Sequence, residues 1–173
     1  MELKKKVLIA FYSRNGENYF SGKKKYVEIG NTEKVAHFIA EITGGTLFQI
    51  RQKHEYSYVY SECIEQAKRD LQNNARPELV PANFDLNLYD EIYLGYPNYW
   101  GTMPMAVYSF LENNDFNGKV IHPFCTHEGS GLAGTVSDIQ KTVPEATVTD
   151  GLAVFGSAAD NSKESVERWI YGL

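Results

Sequence analysis

The sequence predicts an α/β fold, in which a doubly wound, five-stranded parallel sheet carries helices on both faces. Short apolar runs alternate with amphipathic helical patterns through five successive units, which is typical of parallel strands joined by helices. The first run, Val7–Phe11, is continuously apolar, as expected for a strand buried on both faces. Residues 1–173 contain no internal repeat, low-complexity tract or linker, so we expect a single domain.

The first half of the chain supplies two strands and two helices after an irregular stretch. Residues 17–30 lack a regular pattern, and we expect a loop that could include a short hairpin. Their lysine run, 23–25, is interpreted as a solvated turn. Apolar residues at helical spacing then predict a helix capped by Asn31 or Thr32 and ended by Gly44 and Gly45. A strand over 46–50 and a helix over about 62–75 follow.

The second half repeats the pattern. Ile92–Leu94 form an apolar strand that we expect to end at Gly95, and Thr102 is the predicted cap of the next helix, with Pro104 in its first turn. The remaining elements are a strand over 119–125, a short helix over about 132–141, a strand over 148–155 interrupted at 150–151, and a last helix. A capping box of Asn161 and Glu164 is predicted to begin that helix.

Composition excludes several classes of function. The chain has 17 basic and 22 acidic residues, a net charge of -5, and no basic stripe for nucleic acid. Cys63 and Cys125 are too far apart for metal-ligand spacing or a disulfide framework, so no metal and a reduced, cytoplasmic setting are expected. The apolar run after the N-terminal lysines is too short for a signal peptide or a membrane span, so we expect no membrane insertion.

Three loops are predicted to lie at the carboxyl ends of strands, where open α/β sheets bind ligands. The first carries Ser13, Arg14 and Asn15, and it leads through a long insertion to Asn31 and Thr32 at a helix N-terminus, which suits an anion. Alone, this pattern is equally that of a capped turn. It is neither a P-loop nor a G-x-G-x-x-G fingerprint.

The second loop carries the rings of Tyr96, Tyr99 and Trp100, which suit stacking on something flat, although they could also pack the loop down. The third loop, 126–131, offers backbone N–H groups together with Glu128 and Ser130. Phosphate donors, flat rings and a polar loop together match a phosphorylated tricyclic ligand. FMN is the obvious candidate.

These motifs resemble those of the flavodoxin family over essentially the whole chain. They are Tyr-Ser after the first strand, Gly-Asn-Thr at the first helix, Pro-Asn-Tyr-Trp-Gly-Thr-Met-Pro after the third strand and Thr-His-Glu-Gly-Ser-Gly after the fourth. The resemblance implies strand order 2-1-3-4-5 and one non-covalent FMN. It implies that the phosphate is contacted by Ser13, Asn31 and Thr32, with Arg14 and Asn15 beside them. The ring system would be contacted by Pro97, Asn98, Tyr99, Trp100 and Gly101. Further contacts would come from Thr126, Glu128, Gly129 and Ser130. In this chain the phosphate loop departs from the family pattern, because residues 14–29 separate Ser13 from Gly30-Asn31-Thr32.

The function implied is a low-potential, one-electron carrier between redox protein partners, a reductase and an acceptor, acting as a monomer. The alternative is an FMN-dependent NAD(P)H or quinone oxidoreductase of the same fold, expected to be a dimer that closes over the flavin. A phospho-receiver module is disfavoured, because Tyr12 and Ser13 stand where its acidic cluster would follow the first strand.

Overall fold

The computed structural model describes residues 5–173, so the expectation about the N-terminal segment lies partly outside the described residues. Within that range, no helix has the length and apolar character needed to cross a membrane. The strands are β1 (Val7–Phe11), β2 (Gly16–Phe20), β3 (Lys23–Val27), β4 (Thr46–Gln49), β5 (Glu91–Pro97), β6 (Val120–His127), β7 (Thr147–Val148) and β8 (Leu152–Phe155). The α-helices are α1 (Asn31–Thr43), α2 (Tyr60–Gln72), α3 (Met105–Glu112), α4 (Thr135–Thr142) and α5 (Lys163–Tyr171).

The main sheet is parallel and has the order β4-β1-β5-β6-β7, with β8 also pairing with β6. This confirms the predicted doubly wound α/β fold and the order 2-1-3-4-5, with one difference in detail. The fifth strand is divided into β7 and β8 at the predicted interruption, residues 150–151. Its two parts pair with opposite ends of β6, since Ile121 lies beside Val148 and Phe124 lies beside Leu152.

Two apolar clusters cover the two faces of the sheet. Along β1, Leu8 and Ala10 belong to the cluster that includes α3 residues, whereas Ile9 and Phe11 belong to the cluster that includes α1 and α5 residues. All four are buried. The continuously apolar run is therefore explained by burial on both faces, and burial of each Leu, Ile or Phe side chain contributes about 1.5–3 kcal/mol.

Residues 16–27 form an antiparallel hairpin of β2 and β3 in place of an irregular loop. Its turn is Ser21-Gly22, and both residues have positive φ, 44° and 89°, as a two-residue hairpin turn requires. The expected hairpin is present, but the interpretation of Lys23–Lys25 as a turn is wrong. The three lysines lie on β3, where all are exposed.

The N-terminal caps differ from the prediction at all three helices for which one was assigned, whereas α1 ends at Gly44 as predicted. Gly30 is the N-cap of α1 and makes no side-chain bond there. Instead, Ser13 Oγ accepts from the Glu33 N–H (3.1 Å), so a distant loop satisfies this helix end. Pro104, not Thr102, is the N-cap of α3. Ser162 is the N-cap of α5 and makes no capping bond, so the predicted Asn161–Glu164 box is absent.

Candidate functional site

A cavity of about 350 Å³ opens at the carboxyl ends of β1, β5 and β6, a volume within the usual range for small-molecule sites. It brings together most of the residues singled out from the sequence. Asn15 lies instead against a neighbouring cavity, and Gly129 is not among the lining residues. The predicted residues that line the cavity are Ser13, Arg14, Asn31, Thr32, Pro97, Asn98, Tyr99, Trp100, Gly101, Thr126, Glu128 and Ser130.

The split first loop is closed by direct contact between its two halves. Besides the bond from Glu33 N–H to Ser13 Oγ, Gly30 packs so tightly that an added Cβ would lie 2.2 Å from Ser13 Oγ and 2.6 Å from the Arg14 carbonyl oxygen. A side chain at Gly30 would therefore push the halves apart. The insertion leaves Ser13 beside the N-terminus of α1, as the uninterrupted loop would.

Arg14 has a structural task at the base of the hairpin. Its guanidinium donates to the carbonyl oxygen of Ser57 (2.8 Å from Nη2 and 3.3 Å from Nε) and to that of Glu17. The Glu17 N–H in turn donates to the Tyr58 carbonyl oxygen (2.9 Å). These bonds fix the hairpin to the segment before α2, so most of the donors of Arg14 are already used.

A buried pair of hydroxyl groups connects the first loop to the third. Thr32 Oγ1 and Thr126 Oγ1 are 2.7 Å apart, and either can donate. The two residues are 2% and 4% exposed. Because their mutual bond uses one of two hydroxyl hydrogens, the other remains available for an acceptor in the cavity.

The aromatic loop has a different arrangement from the one predicted. Tyr96 is fully buried in the core and donates to Thr135 Oγ1 (2.8 Å), so the expectation that its ring is displayed on the loop is wrong. Tyr99 and Trp100 do line the cavity. Tyr99 meets Tyr12 edge-on, with ring centroids 6.1 Å apart.

Trp100 is half exposed and held in an unusual conformation. Its φ is 56°, followed by 82° at Gly101, and reciprocal backbone bonds between Tyr99 and Thr102 (2.8 and 3.2 Å) close this tight turn. The indole N–H donates to the Ile64 carbonyl oxygen (3.0 Å) in α2. A bulky residue with positive φ costs on the order of 1 kcal/mol, and such strain is concentrated at functional sites.

Glu128 connects three segments around the cavity. Its Oε2 accepts from the Ser21 N–H at the hairpin turn (3.3 Å), and its Oε1 accepts from the Ser157 N–H after β8 (2.8 Å). A Cβ on Gly156 would lie 2.9 Å from this carboxylate and 2.6 Å from Asn31 Nδ2. Glu128 therefore holds the hairpin over the cavity.

His127 lies in the same loop as Glu128. Its Nδ1 accepts from the Gly129 N–H (2.9 Å), and its ring packs against Phe155. Burial lowers the pKa of His127, and the adjacent Glu128 carboxylate partly opposes that shift. The ring is therefore neutral at neutral pH.

Three further ionisable groups of the cavity, those of Tyr60, Cys63 and Tyr99, are also uncharged. Burial raises the pKa of Tyr99 well above its usual value and raises those of Tyr60 and Cys63 as well. The part of the cavity next to Tyr60, Cys63 and Tyr99 is therefore lined by neutral rings and a neutral thiol. One polar atom stands out: Asn31 Oδ1 is buried and has no hydrogen-bond partner among the described residues.

The decisive comparison is with protein-family models, of which the model described as "Flavodoxin" matches residues 6–172. The chain belongs to the flavodoxin family. No match was found among curated proteins. Among solved structures, a flavoprotein from Bacteroides uniformis is 25% identical, with a TM-score of 0.76 and coverage of 98% of this chain and 99% of that one.

Two further structures share the fold at lower identity. A flavoprotein from Bacteroides eggerthii has a TM-score of 0.77 at 20% identity, and each chain is covered to 97%. A flavoprotein from Lactobacillus acidophilus, solved in complex with FMN, has a TM-score of 0.66 at 24% identity, with coverage of 91% of this chain and 97% of that one.

Part of the cavity wall was not predicted from the sequence. No role at the site was assigned to Tyr19 or Tyr60, yet Tyr60, at the start of α2, lines the cavity and stacks on Tyr19 of the hairpin, with ring centroids 5.9 Å apart. A signal was present in the aromatic content of both segments, but nothing in either pattern indicated that they meet. The lining residues that were not predicted are Asn18, Tyr19, Tyr60, Cys63, Ile64, Ala67, His127 and Gly156.

Proposed function

We propose that this protein binds one FMN non-covalently in the cavity and carries single electrons between redox protein partners, a reductase and an acceptor. The observation that supports this most directly is the convergence of the three predicted loops on one cavity. Polar groups of the first and third loops gather at one part of its wall, and Tyr99 and Trp100 line another. The family model and the FMN complex of the Lactobacillus acidophilus flavoprotein support the same ligand.

The donors and acceptors of the cavity fit FMN. The buried, unpartnered Asn31 Oδ1 requires a donor, and the ribityl hydroxyl groups of FMN are donors. The free hydrogen of the Thr32–Thr126 pair and the N-terminus of α1 suit the phosphate, which is an acceptor. Ser13 would contribute through its contact with that helix end. Both oxygens of Glu128 already accept backbone N–H groups, so we assign it to holding the hairpin in place.

At the ring end, FMN supplies the redox chemistry and the chain sets its environment. Tyr99 and Trp100 provide apolar faces, and the raised pKa of Tyr99, caused first by burial, keeps its hydroxyl neutral. Tyr60, Cys63 and Tyr99 are neutral in this region, and apolar surroundings disfavour added negative charge. We therefore expect a low potential. Asn98 Oδ1 accepts from the Gly101 N–H (3.0 Å), which fixes the tight turn that presents the rings.

The cellular setting is part of the proposal. The two cysteines are both free and buried, which is compatible with a reducing cytoplasm. We propose that the protein acts there as a monomer. An FMN-dependent NAD(P)H or quinone oxidoreductase of the same fold is the competing function, and the experiment below separates the two.

The test starts with purified protein and its absorbance spectrum. We expect a yellow protein that releases FMN, not FAD, on denaturation, and an apo form that binds FMN about 100-fold more tightly than riboflavin, because riboflavin lacks the phosphate. Redox titration should resolve two one-electron steps, and the protein alone should not oxidise NADPH with a quinone acceptor. Failure of the apo protein to bind FMN would refute cofactor binding. Rapid NADPH oxidation by the protein alone would favour the oxidoreductase function.

A further inference from the structure

The β2–β3 hairpin carries a concentrated positive charge in an acidic protein. Lys23, Lys24 and Lys25 are consecutive and exposed on β3, although the net charge of the chain is -5. Within residues 5–173, neither Lys23 nor Lys25 has a carboxylate at ion-pair distance, and Lys24 is 3.8 Å from Glu17 Oε1. By contrast, Lys5, Lys34, Lys53 and Lys163 all form closer ion pairs.

This charge lies beside the mouth of the cavity. In the antiparallel ladder, Lys24 lies directly across from Tyr19 and Lys25 across from Asn18, and both partners line the cavity. Directly opposed residues in such a ladder are about 4.5–5.5 Å apart and point to the same face, so Lys24 and Tyr19 point to one face of the hairpin and Lys25 and Asn18 to the other. The ammonium groups are therefore carried by a strand only one strand away from the cavity wall.

Exposed aromatic side chains surround the same opening. Tyr19 and Trp100 line the cavity and are substantially exposed, and Phe155 is exposed where it packs on His127, a further lining residue. We call Tyr19, Trp100 and Phe155 the aromatic rim. Lys68 adds another positive charge over the Trp100 ring, 5.3 Å from its centroid. An apolar centre beside a charged edge is the usual anatomy of a protein–protein interface.

Nearby acidic groups reduce this positive charge but do not cancel it at β3. Glu17 accepts from the Tyr60 N–H as well as contacting Lys24, and Glu128 accepts two backbone N–H groups. Both carboxylates therefore serve the attachment of the hairpin. Among residues 5–173, Lys23 and Lys25 form no ion pair, although Lys25 Nζ lies 5.4 Å from the centroid of the Phe20 ring.

We propose that β3 and the aromatic rim form the docking surface for a protein partner that presents an acidic patch, with the lysines steering it onto the cavity mouth. The occupant is inferred from charge complementarity: an acidic surface is attracted to β3 and repelled by most of the remainder of this chain. This inference rests on the proposed function, because it assigns a partner to the same site.

A purely structural role for the lysines is the competing explanation. The outer edge of β3 pairs with no other strand among residues 5–173, and lysines on an edge strand prevent unwanted strand pairing between molecules. That role predicts self-association when the lysines are replaced. It predicts no change in how the cavity mouth attracts anions.

The experiment measures the local charge at the cavity mouth by comparing how fast a negatively charged and a positively charged oxidant oxidise the reduced protein. The FMN-loaded protein is reduced with dithionite and mixed by stopped flow with ferricyanide or with hexaammineruthenium(III). Two oxidant ions are consumed for each fully reduced protein, each accepting one electron, and the protein returns to its oxidised form with release of the protons it took up. The K23Q/K24Q/K25Q variant is compared with K6Q/K119Q/K141Q, which has the same net charge. Lys6 and Lys119 directly precede β1 and β6, at the edge of the sheet opposite the cavity.

We expect the rate with ferricyanide to fall as salt rises, although the protein is acidic overall. The hairpin variant should lose about tenfold of that rate at low salt and gain rate with hexaammineruthenium(III), whereas the control should change less than about twofold. Equal effects in the two variants would overturn the proposal. Self-association of the hairpin variant with unchanged rates would also overturn it and would leave edge protection as the role of the lysines.

A second measurement does not require FMN. Fluorescently labelled poly-L-glutamate should bind the apo protein in a salt-sensitive manner, and the hairpin variant should lose about tenfold in affinity relative to the control. If the protein binds no FMN but the lysines still decide poly-L-glutamate binding, the proposed function fails and the docking surface stands. If FMN is bound and poly-L-glutamate affinity is the same in both variants, the docking surface fails alone.

Discussion

The hydroxyl pair Thr32–Thr126 allows a quantitative test of how the cavity is held together. Replacing Thr32 by alanine removes one hydroxyl and leaves the other, on a residue that is only 4% exposed, without its partner. T32S is the matched control because it keeps the hydroxyl and loses only the methyl group. The difference between T32A and T32S therefore reports the hydrogen bond.

The expected magnitude follows from the burial and length of this bond. A buried hydroxyl that loses its partner costs about 1–3 kcal/mol, and the 2.7 Å separation of the two oxygens indicates a well-formed bond. Both residues also line the cavity, where water can replace the missing partner. We therefore expect T32A to be about 1 kcal/mol less stable than T32S, near the lower limit.

A double-mutant cycle separates the bond from the loss of volume at each site. Once Thr32 is alanine, removing the Thr126 hydroxyl no longer breaks a bond and instead eliminates an unpaired buried group. T32A/T126A should therefore lose less stability than the sum of the single variants, by about 1 kcal/mol. Urea unfolding of the apo proteins measures each free energy without a cofactor contribution. Additivity within about 0.3 kcal/mol would show that the two hydroxyl groups do not stabilise each other, and the reasoning would be wrong.

Three other variants test the surroundings of the cavity. G156A should weaken FMN binding about tenfold, measured by flavin fluorescence titration, because its Cβ would displace Asn31 and Glu128; unchanged affinity would contradict this. W100A should also lose about tenfold and W100F less than about threefold, since a ring still packs there; equal losses would exclude stacking. NMR titration should place the pKa of His127 below about 6.5, and E128Q should lower it further, because burial disfavours the charged ring and the carboxylate opposes that effect.

The sign of the His127 effect on stability follows from that direction. A folded-state pKa below the unfolded value means that the unfolded chain takes up the proton first. The free energy of unfolding should therefore fall as pH drops through about 6.5 and stop falling below the folded-state pKa. The H127N variant should lose this dependence, and an unchanged pH profile of that variant would contradict the assignment.

The order of strands and helices was predictable because each element carries its own periodicity. Val7–Phe11 was placed with the observed bounds, and the interruption at 150–151 marked the division between β7 and β8. The C-cap of α1 at Gly44 was predicted, but the N-terminal caps were not predictable. Their partners lie far along the chain, as Ser13 does for the N-terminus of α1, and a local pattern contains no information about a bond of that kind.

The prediction for Tyr96 was wrong because the role of Gly95 was misinterpreted. Gly95 was interpreted as the end of a strand, and the following tyrosine was therefore placed on a loop. In the structure β5 continues to Pro97, and Gly95 is opposite Phe124 of β6. A Cβ at Gly95 would lie 2.1 Å from the Phe124 ring. The glycine is required by packing between neighbouring strands, and the continuing strand buries Tyr96.

The same reasoning explains why the sequence identified one wall of the cavity and missed the other. Ser13, Thr32, Asn98 and Thr126 lie at the carboxyl ends of strands or open a helix, so a general rule about the carboxyl edge of a parallel sheet brings them together. Tyr19 and Tyr60 reach the cavity because the hairpin folds back onto the N-terminus of α2 and is held there through contacts such as that of Glu17 with the Tyr60 N–H. No rule of sheet topology specifies where an insertion docks. The hairpin side of the cavity is therefore the part that the fold class does not determine. The lysines of β3 lie on that same hairpin.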